Sequence, residues 1–186
     1  MDVFEAMLTR RSIAKLDGDV SDGTVRRIVE AAVAAPNHKL TEPWRFTVVR
    51  GDARRRLGEE WSTSEATRTT LTGAGREAYL RREATKPLRA PVILAISTTT
   101  SDDPVRAEED FAATAAAAQN ALLAAHALGV GAIWRTGGMA RDAAVNAFLA
   151  LAPGDRIVAF IYLGDPAIDP PPVRRTAVDD VMRYLS

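Results

Sequence analysis

Two short apolar runs, separated by a long alanine-rich stretch, constrain the fold of this chain more than any other feature. The runs are PVILAIS, from Pro91 to Ser97, and IVAFIYL, from Ile157 to Leu163. Continuous apolar runs of this length are typical of strands buried on both faces. The stretch from Pro104 to Leu128 contains AATAAAAQNALLAAHALG. Alanine favours helix, and its small side chain lets other helices approach closely, so this stretch predicts a central helix.

Shorter patterns predict the remaining elements. Helices are expected from Asp2 to about Arg10 and from Asp142 to Leu149. Another helix is expected through Val25 and Val33, with Ser21 or Asp22 as its N-terminal cap, and a further one runs from a cap at Asp52 toward Trp61. Further strands are expected at Arg45 to Arg50 and Val130 to Trp134. The polar segment from Thr63 to Lys86 is predicted to be helical in patches and partly mobile. The absence of a repeat or linker predicts one domain over residues 1–186.

The C-terminal tail has a different character. Pro166 and the prolines at 170–172 predict a stiff, extended arm after Gly164. A short amphipathic segment then carries four apolar side chains, at Val178, Val181, Met182 and Leu185. We expect this tail to lie along a neighbouring surface.

Composition excludes several functional classes. The 24 Lys and Arg residues equal the 24 Asp and Glu residues, so the net charge of +0 offers no field for nucleic acid or an anionic membrane. The chain has no cysteine, which excludes disulfides, thiolate metal sites and a Cys nucleophile. Two histidines, His38 and His126, are too few for an imidazole-rich zinc site, and we predict no metal. With no apolar run of membrane length and no signal peptide in the sequence, the expected location is the cytoplasm.

Three polar segments are candidates for a binding site. Arg10-Arg11-Ser12 ends the first helix, where guanidinium groups and a hydroxyl can bind phosphate, although basic residues also favour helix C-termini for electrostatic reasons. APNHKLTEPWRF, from Ala35 to Phe46, holds an amide, an imidazole and an ammonium in succession. The segment Ile133 to Gly138, IWRTGG, leaves a strand through a glycine-rich turn whose N–H groups can face a ligand. A Rossmann fingerprint at Gly129 is excluded, because these glycines follow a helix and open a strand.

In this order the motifs resemble the FMN-dependent nitroreductases, and most closely their compact minimal branch. The resemblance rests on RRS at Arg10, APNHK at Ala35 with Pro43-Trp44 and Phe46, GAIWRTG at Gly131, and YLGDP at Tyr162. It implies an α+β fold with a mixed, mainly antiparallel sheet wrapped by helices. It also implies an obligate homodimer with one FMN in each of two interface clefts.

The resemblance further implies roles for individual residues. Arg10, Arg11 and Ser12 would bind the FMN phosphate and ribityl chain, with Arg135 as a further phosphate ligand. Trp134, Arg135, Thr136 and Gly137 would line the flavin from the same subunit. Asn37, His38 and Lys39 would approach the flavin from the other subunit. No side chain is assigned as a catalytic acid or base, because the flavin itself carries the chemistry.

The implied activity is hydride transfer from NADH or NADPH through FMN to a small acceptor, such as a nitroaromatic or a quinone, by a ping-pong mechanism. Two alternatives stay open: an FMN-dependent dehydrogenase or desaturase of a specific metabolite, and a non-enzymatic flavin-binding module. Larger relatives carry a basic residue where this chain has Ala14. His38, Lys39 and Lys15 are therefore alternatives for the cation near flavin N1.

Overall fold

A five-stranded antiparallel sheet forms the centre of the protein in a computed structural model that describes residues 1–170, 172 and 175–185. The strands are β1 (Leu16–Asp17), β2 (Trp44–Arg50), β3 (Val92–Thr98), β4 (Gly131–Arg135) and β5 (Arg156–Pro166). The α-helices are α1 (Val3–Thr9), α2 (Asp22–Ala32), α3 (Asp52–Ala66), α4 (Gly73–Ala84), α5 (Pro104–Ala127) and α6 (Ala143–Phe148). This architecture confirms the predicted α+β class with a mainly antiparallel sheet.

The longest strand, β5, organises the sheet. It pairs with β3 along one edge and with β4 along the other, while β1 pairs with its last residues. β2 then pairs with β3. All four pairings are antiparallel. Because β4 contacts only β5 among the described strands, one edge of β4 is left without a strand partner.

Alternating residues of β3 and β5 divide the core between the two faces of the sheet. On one face, Leu94 and Ile161 pack with α2 and α5. On the other face, Ile93 and Phe160 pack with residues of α3 and α6. A strand that buries both of its faces needs an uninterrupted apolar sequence, which explains the two runs PVILAIS and IVAFIYL.

The alanine-rich segment forms the predicted central helix, α5. Asp103 caps its N-terminus by accepting a hydrogen bond from the Val105 N–H at 3.0 Å. Its buried face consists mostly of alanine and includes the fully buried residues Ala117, Ala118 and Ala121. This face of small side chains packs against α2 and the sheet.

Two local predictions need correction. Asp52 is the first residue of α3, and Gly51 occupies the cap position with a φ of 55°, a backbone conformation that favours glycine. The segment from Thr63 to Lys86 is more regular than predicted, because α3 continues to Ala66 and α4 fills most of the remainder.

The C-terminal tail is only partly described. Residues 171, 173 and 174 of the predicted proline arm lie outside the described residues. Beyond them, Val178, Val181 and Leu185 are exposed on this chain. Within the described residues, no helix is both long and apolar enough to cross a membrane.

Candidate functional site

The open edge of β4 connects two of the three predicted binding segments. The Ile13 N–H donates to the Ala132 carbonyl at 3.0 Å, which fixes the segment after α1 against this edge. Successive residues of an antiparallel strand direct their backbone groups to opposite edges. The backbone groups of Trp134 therefore face the same edge as those of Ala132. Arg10-Arg11-Ser12 precedes the contact at Ala132, whereas Trp134, the first residue of the other segment, lies two residues farther along β4, about 7 Å at 3.4 Å per residue.

Positive charge is concentrated at the Gly131 end of this edge. Burial lowers the pKa of the Arg10 guanidinium, and the charges of Arg175 and Arg11 lower it further. Arg11 donates to the carbonyls of Leu8 at 2.9 Å and Arg10 at 3.1 Å, while Ser12 is exposed. Three neighbouring cations repel one another, and a bound anion would relieve that repulsion. Arg175 belongs to none of the motifs identified in the sequence, so sequence reasoning misses this proximity.

A cavity of ≈ 510 Å³ adjoins the cation cluster. Arg10, Arg11, His126 and residues 129–132 contribute to its wall. The His126 Nε2 lies 2.8 Å from the Thr9 hydroxyl, and burial together with Arg10 and Arg11 lowers the pKa of its imidazole. A neutral imidazole at this point leaves the arginines as the positive groups of the wall.

The other end of the edge combines aromatic side chains with a glycine turn. Trp134 packs toward the α5 face of the sheet, whereas the Arg135 guanidinium carbon lies 5.6 Å from the centroid of the Tyr162 ring. The Arg135 Nε is buried and has no hydrogen-bond partner within the described residues. Gly137 has a φ of 86°, which allows the chain to turn sharply after Thr136. Arg135 and Arg10 line different cavities, although both are predicted phosphate ligands.

The APNHK loop is fixed to a different part of the molecule. The Asn37 side-chain oxygen accepts the Glu42 N–H at 2.9 Å, and His38 Nδ1 lies 2.6 Å from Glu109 Oε2 on α5. Lys39 and Glu42 adopt positive φ values of 52° and 43°. Non-glycine residues in this region store backbone strain, which often marks functional loops.

The third predicted segment is far from the arginine segment within one chain. His38 contacts α5 at Glu109, whereas Arg10 and Arg11 share a cavity with His126 near the end of the same helix. Seventeen helical residues separate Glu109 from His126, which corresponds to about 26 Å at 1.5 Å per residue. That span approaches the diameter of a small domain, so Asn37, His38 and Lys39 do not join the arginine segment of their own chain. The Thr136 end of β4 is nearer to the loop, because Thr136 shares a cavity with Phe111 of α5, two residues after Glu109.

The donors along the β4 edge suit an elongated, anionic organic ligand. Guanidinium groups at one end match a phosphate, and free backbone groups with flanking aromatic side chains at the other end match a planar heterocycle. Among the described residues, no group of three or more His, Asp or Glu side chains is placed to hold a metal ion.

Comparison with known proteins identifies relatives over nearly the whole chain. The model of the nitroreductase family matches residues 7–165. YdjA of Escherichia coli strain K12, a protein named as a candidate NAD(P)H nitroreductase, is 28% identical over 172 residues, covering 90% of each chain. YfhC of Bacillus subtilis strain 168, named in the same way, is 29% identical over 175 residues, covering 92% of this chain and 88% of the relative.

Solved structures share the fold. A nitroreductase-like family protein from Bacillus cereus superposes with a TM-score of 0.87 at 25% identity, covering 100% of this chain and 96% of that chain. A candidate nitroreductase in complex with FMN from Desulfovibrio desulfuricans gives a TM-score of 0.72 at 31% identity, covering 99% of this chain and 97% of that chain. The nitroreductase-like fold predicted from the motifs is therefore confirmed.

Proposed function

This chain belongs to the nitroreductase family, and from that premise we propose that it is an FMN-dependent NAD(P)H oxidoreductase. The names of its relatives as NAD(P)H nitroreductases support the enzymatic assignment. The neighbour that was solved with FMN supports the choice of cofactor. We retain the interpretation of residues 1–186 as one FMN-binding domain.

The arrangement of the β4 edge carries this proposal. FMN has a phosphate at one end and a planar ring at the other, joined by a polar ribityl chain. The cluster of Arg10, Arg11 and Arg175 offers charge for the phosphate, and the segment from Trp134 to Gly137 offers backbone groups and aromatic surface for the ring. Both segments border the open edge of β4, the first through the Ile13–Ala132 hydrogen bond and the second from Trp134 onward, which suits an extended nucleotide along the strand. The residues present therefore fit this cofactor.

Each segment has a separate task in the proposed site. Arg10 and Arg11 neutralise the phosphate, and Ser12 donates or accepts a hydrogen bond beside it. Backbone groups after Trp134 hold the ring edge, and the Gly137 turn keeps side chains away from its face. When bound, FMN supplies the hydride chemistry between NADH or NADPH and a nitroaromatic, quinone or similar acceptor. None of these tasks requires a side-chain acid or base, which agrees with the assignment of no catalytic residue.

We also propose that two copies of the chain complete each site. Asn37, His38 and Lys39 lie about 26 Å along α5 from the arginine cluster of their own chain, so a partner subunit would have to supply them. The described chain leaves large apolar side chains exposed, including Phe4 at 74% and Leu8 at 63% in α1 and Tyr184 at 86% in the tail. Exposed apolar groups of this extent are typical of a surface that a partner covers.

The decisive experiment is an anaerobic titration of the purified protein. We expect a yellow protein with one FMN per chain, whose flavin absorbance bleaches on addition of NADH or NADPH and returns when a nitroaromatic or quinone is added. Comparison of the two nicotinamide nucleotides at equal concentration gives the donor preference.

Other results of the titration would redirect the assignment. A bound flavin that a metabolite reduces, but neither nicotinamide nucleotide reduces, would favour a dehydrogenase or desaturase. A bound flavin that no donor reduces would favour a non-enzymatic flavin-binding module. A protein that binds no FMN after refolding with an excess of it would contradict the proposed function altogether.

A further inference from the structure

A second cavity, of ≈ 330 Å³, lies beside the Trp134–Gly137 segment on the face of the sheet that carries Tyr162. Lys86 and Arg89 line it from the short 3-10 helix Lys86–Arg89, which lies between α4 and β3, and Arg135 lines it from β4. We call this space the η-cavity, after the 3-10 helix beside it. Among the described residues, no carboxylate contributes to its lining.

Among the described residues, one of the three cationic side chains of the η-cavity, Lys86, forms an ion pair with a carboxylate, and the other two do not. Lys86 forms an ion pair with the buried carboxylate of Glu83. Arg89 and Arg135 have no carboxylate oxygen within 4.0 Å among the described residues. The wall therefore carries an excess of positive charge that an anion would neutralise.

Arg135 provides an independent indication of a ligand. Its Nε is buried without a hydrogen-bond partner in the described part of the chain, whereas buried donors are normally paired because a lost hydrogen bond is costly. The guanidinium lies over the Tyr162 ring, a stacking arrangement that holds the planar group in place. An Arg side chain held in this way can offer two parallel N–H groups to a carboxylate or phosphate.

We propose that the η-cavity binds an oxyanion, either carboxylate or phosphate, carried by the electron donor or acceptor of the enzyme. Neither Arg10 nor Arg11 lines the η-cavity, and both line the other cavity, so the anion of the η-cavity is assigned to a molecule other than the FMN whose phosphate the arginine cluster would bind. The lining of the η-cavity includes Trp134 and Gly137 of the proposed ring-binding segment. A substrate anchored here by its anionic group would therefore lie next to the flavin ring. The assignment to a substrate rests on the proposed function.

The test uses Arg89, an exposed arginine in the wall of the η-cavity, and two probes that differ in charge. Binding of para-nitrobenzoate and its neutral isostere para-nitrobenzamide is measured by calorimetry on the FMN-loaded, oxidised protein. Removing one charge-assisted contact in Arg89→Gln should weaken para-nitrobenzoate binding by about tenfold or more and leave the amide unchanged. Arg81→Gln is the matched control, because Arg81 is an exposed arginine of α4 outside the cavity.

A second arm distinguishes the two sources of the anion. NADP⁺ carries one phosphate more than NAD⁺, so an effect of Arg89→Gln on NADP⁺ alone would assign the η-cavity to the donor. An effect on para-nitrobenzoate alone would assign it to the acceptor. Arg89→Lys keeps the charge without the planar fork and should retain part of the binding, which a purely structural role would not produce.

Titration of the cofactor-free protein with inorganic phosphate and benzoate separates this proposal from the proposed function. Suppose that anion binding depends on Arg89 but the protein does not bind FMN. That result would support the assignment of the η-cavity and contradict the proposed function as an FMN-dependent oxidoreductase. Equal binding of both probes in wild type and Arg89→Gln would overturn the cavity assignment. Anion binding that disappears on loading with FMN would also overturn it, since the η-cavity would then belong to the cofactor.

Discussion

Two consecutive arginines after α1 have different surroundings. Arg11 folds back and donates to the carbonyls of Leu8 and Arg10, which satisfies groups left open at the end of the helix. Arg10 is half-buried, and the positive charges of Arg175 and Arg11 lower its pKa. The two explanations considered for this motif, helix termination and phosphate binding, therefore fit different residues. Arg11 is held at the helix end and adds positive charge beside the proposed phosphate site, whereas Arg10 is the better placed of the two for direct contact with an anion.

Replacement of Arg10 by alanine should weaken FMN binding while leaving the fold intact. Loss of one charge-assisted contact to phosphate costs roughly 1.5–3 kcal/mol, or about one to two decades in affinity. The measurement is a titration of the cofactor-free protein with FMN. Arg27→Ala, an exposed arginine of α2, is the control. Unchanged affinity in Arg10→Ala would exclude Arg10 as a phosphate ligand.

The sequence indicates those candidate residues that occur in compact motifs and misses those that tertiary structure assembles. Arg10 and Trp134 belong to short patterns that are visible along the chain. Arg89 and Tyr162 reach the η-cavity from segments more than seventy residues apart, and no local pattern connects them. The burial of Glu83 is also not predictable from the sequence, because its neighbours along the chain are mostly polar. In the structure, Glu83 is buried and accepts a hydrogen bond from the Trp61 indole N–H.

At the scale of elements, the contact between α3 and α4 depends on a single missing side chain. A Cβ added to the buried Gly58 of α3 would lie 1.9 Å from the Ala84 carbonyl oxygen at the end of α4. Backbone cannot move aside as a flexible side chain can. The two helices therefore approach as closely as they do only because residue 58 is glycine.

Gly58→Ala should destabilise the protein, whereas the same substitution at Gly75 should not. The first change forces α3 away from α4 and is expected to cost about 3 kcal/mol, the upper part of the usual range for overpacking. Gly75 lies in α4 with open space around its Cα, so alanine there should stabilise by roughly 0.5–1 kcal/mol through helix propensity. Urea unfolding of both variants measures the difference. Equal stabilities would contradict the close contact.

Two buried acids connect the helices of this region to the rest of the fold. Asp142 accepts hydrogen bonds from Ser64 at 2.7 Å and from Arg68, and its other oxygen accepts the Val145 N–H that begins α6. Burial raises the pKa of the Asp142 carboxyl, but the hydrogen bonds from Arg68, Ser64 and Val145 together outweigh it and lower the pKa below its ordinary value. Glu83, with Lys86 and Trp61 as donors, shows the same balance.

Acid should remove the contribution of Asp142 to stability. A lowered pKa in the folded state means that the stabilisation is present above the ordinary pKa of 3.8 and is lost as pH falls through the lower folded value. Asp142→Asn should therefore be less stable at neutral pH, by roughly 1–3 kcal/mol, and its deficit should shrink below pH 3.8. Unfolding free energies measured across this range, with the exposed Asp102→Asn as control, test the sign. A deficit that grows toward acid would refute the assignment.

These buried acids also explain why the end of α3 and the whole of α4 are difficult to predict from the sequence. Helix prediction from sequence depends on a regular apolar stripe, and the segment from Thr63 to Lys86 offers little of one. Its helices use Trp61 and the neutralised Glu83 as inward groups instead. By contrast, the predicted bounds of β3 and α5 differ from the observed ones by one residue, and β5 continues to Pro166, three residues beyond its predicted end. The strands are recognisable because burial on both faces needs a continuous apolar sequence, and α5 because alanine favours helix.

At the scale of the whole molecule, α5 separates the proposed halves of a flavin site. The APNHK loop contacts its N-terminal part, and the arginine cluster lies near its C-terminal end. Under the proposed function, one chain would present two half-sites rather than one complete site. The exposed apolar residues of α1 and of the tail are the surface that we propose a second chain covers. Neither fact follows from the sequence alone, because both depend on the position of each segment along α5.

Mixed dimers test this arrangement directly. Arg10→Ala and His38→Ala homodimers should each bind FMN weakly, since every site then lacks one contact; retention of circular dichroism and dimer size shows that both still fold. If each site takes Arg10 from one chain and His38 from the other, a heterodimer of the two variants contains one doubly altered site and one intact site. Co-expression with two different affinity tags isolates the heterodimer, and its FMN content should recover to about half of the wild-type value. If both residues serve the same site from one chain, every site stays singly altered and no recovery occurs, which would exclude a shared flavin site.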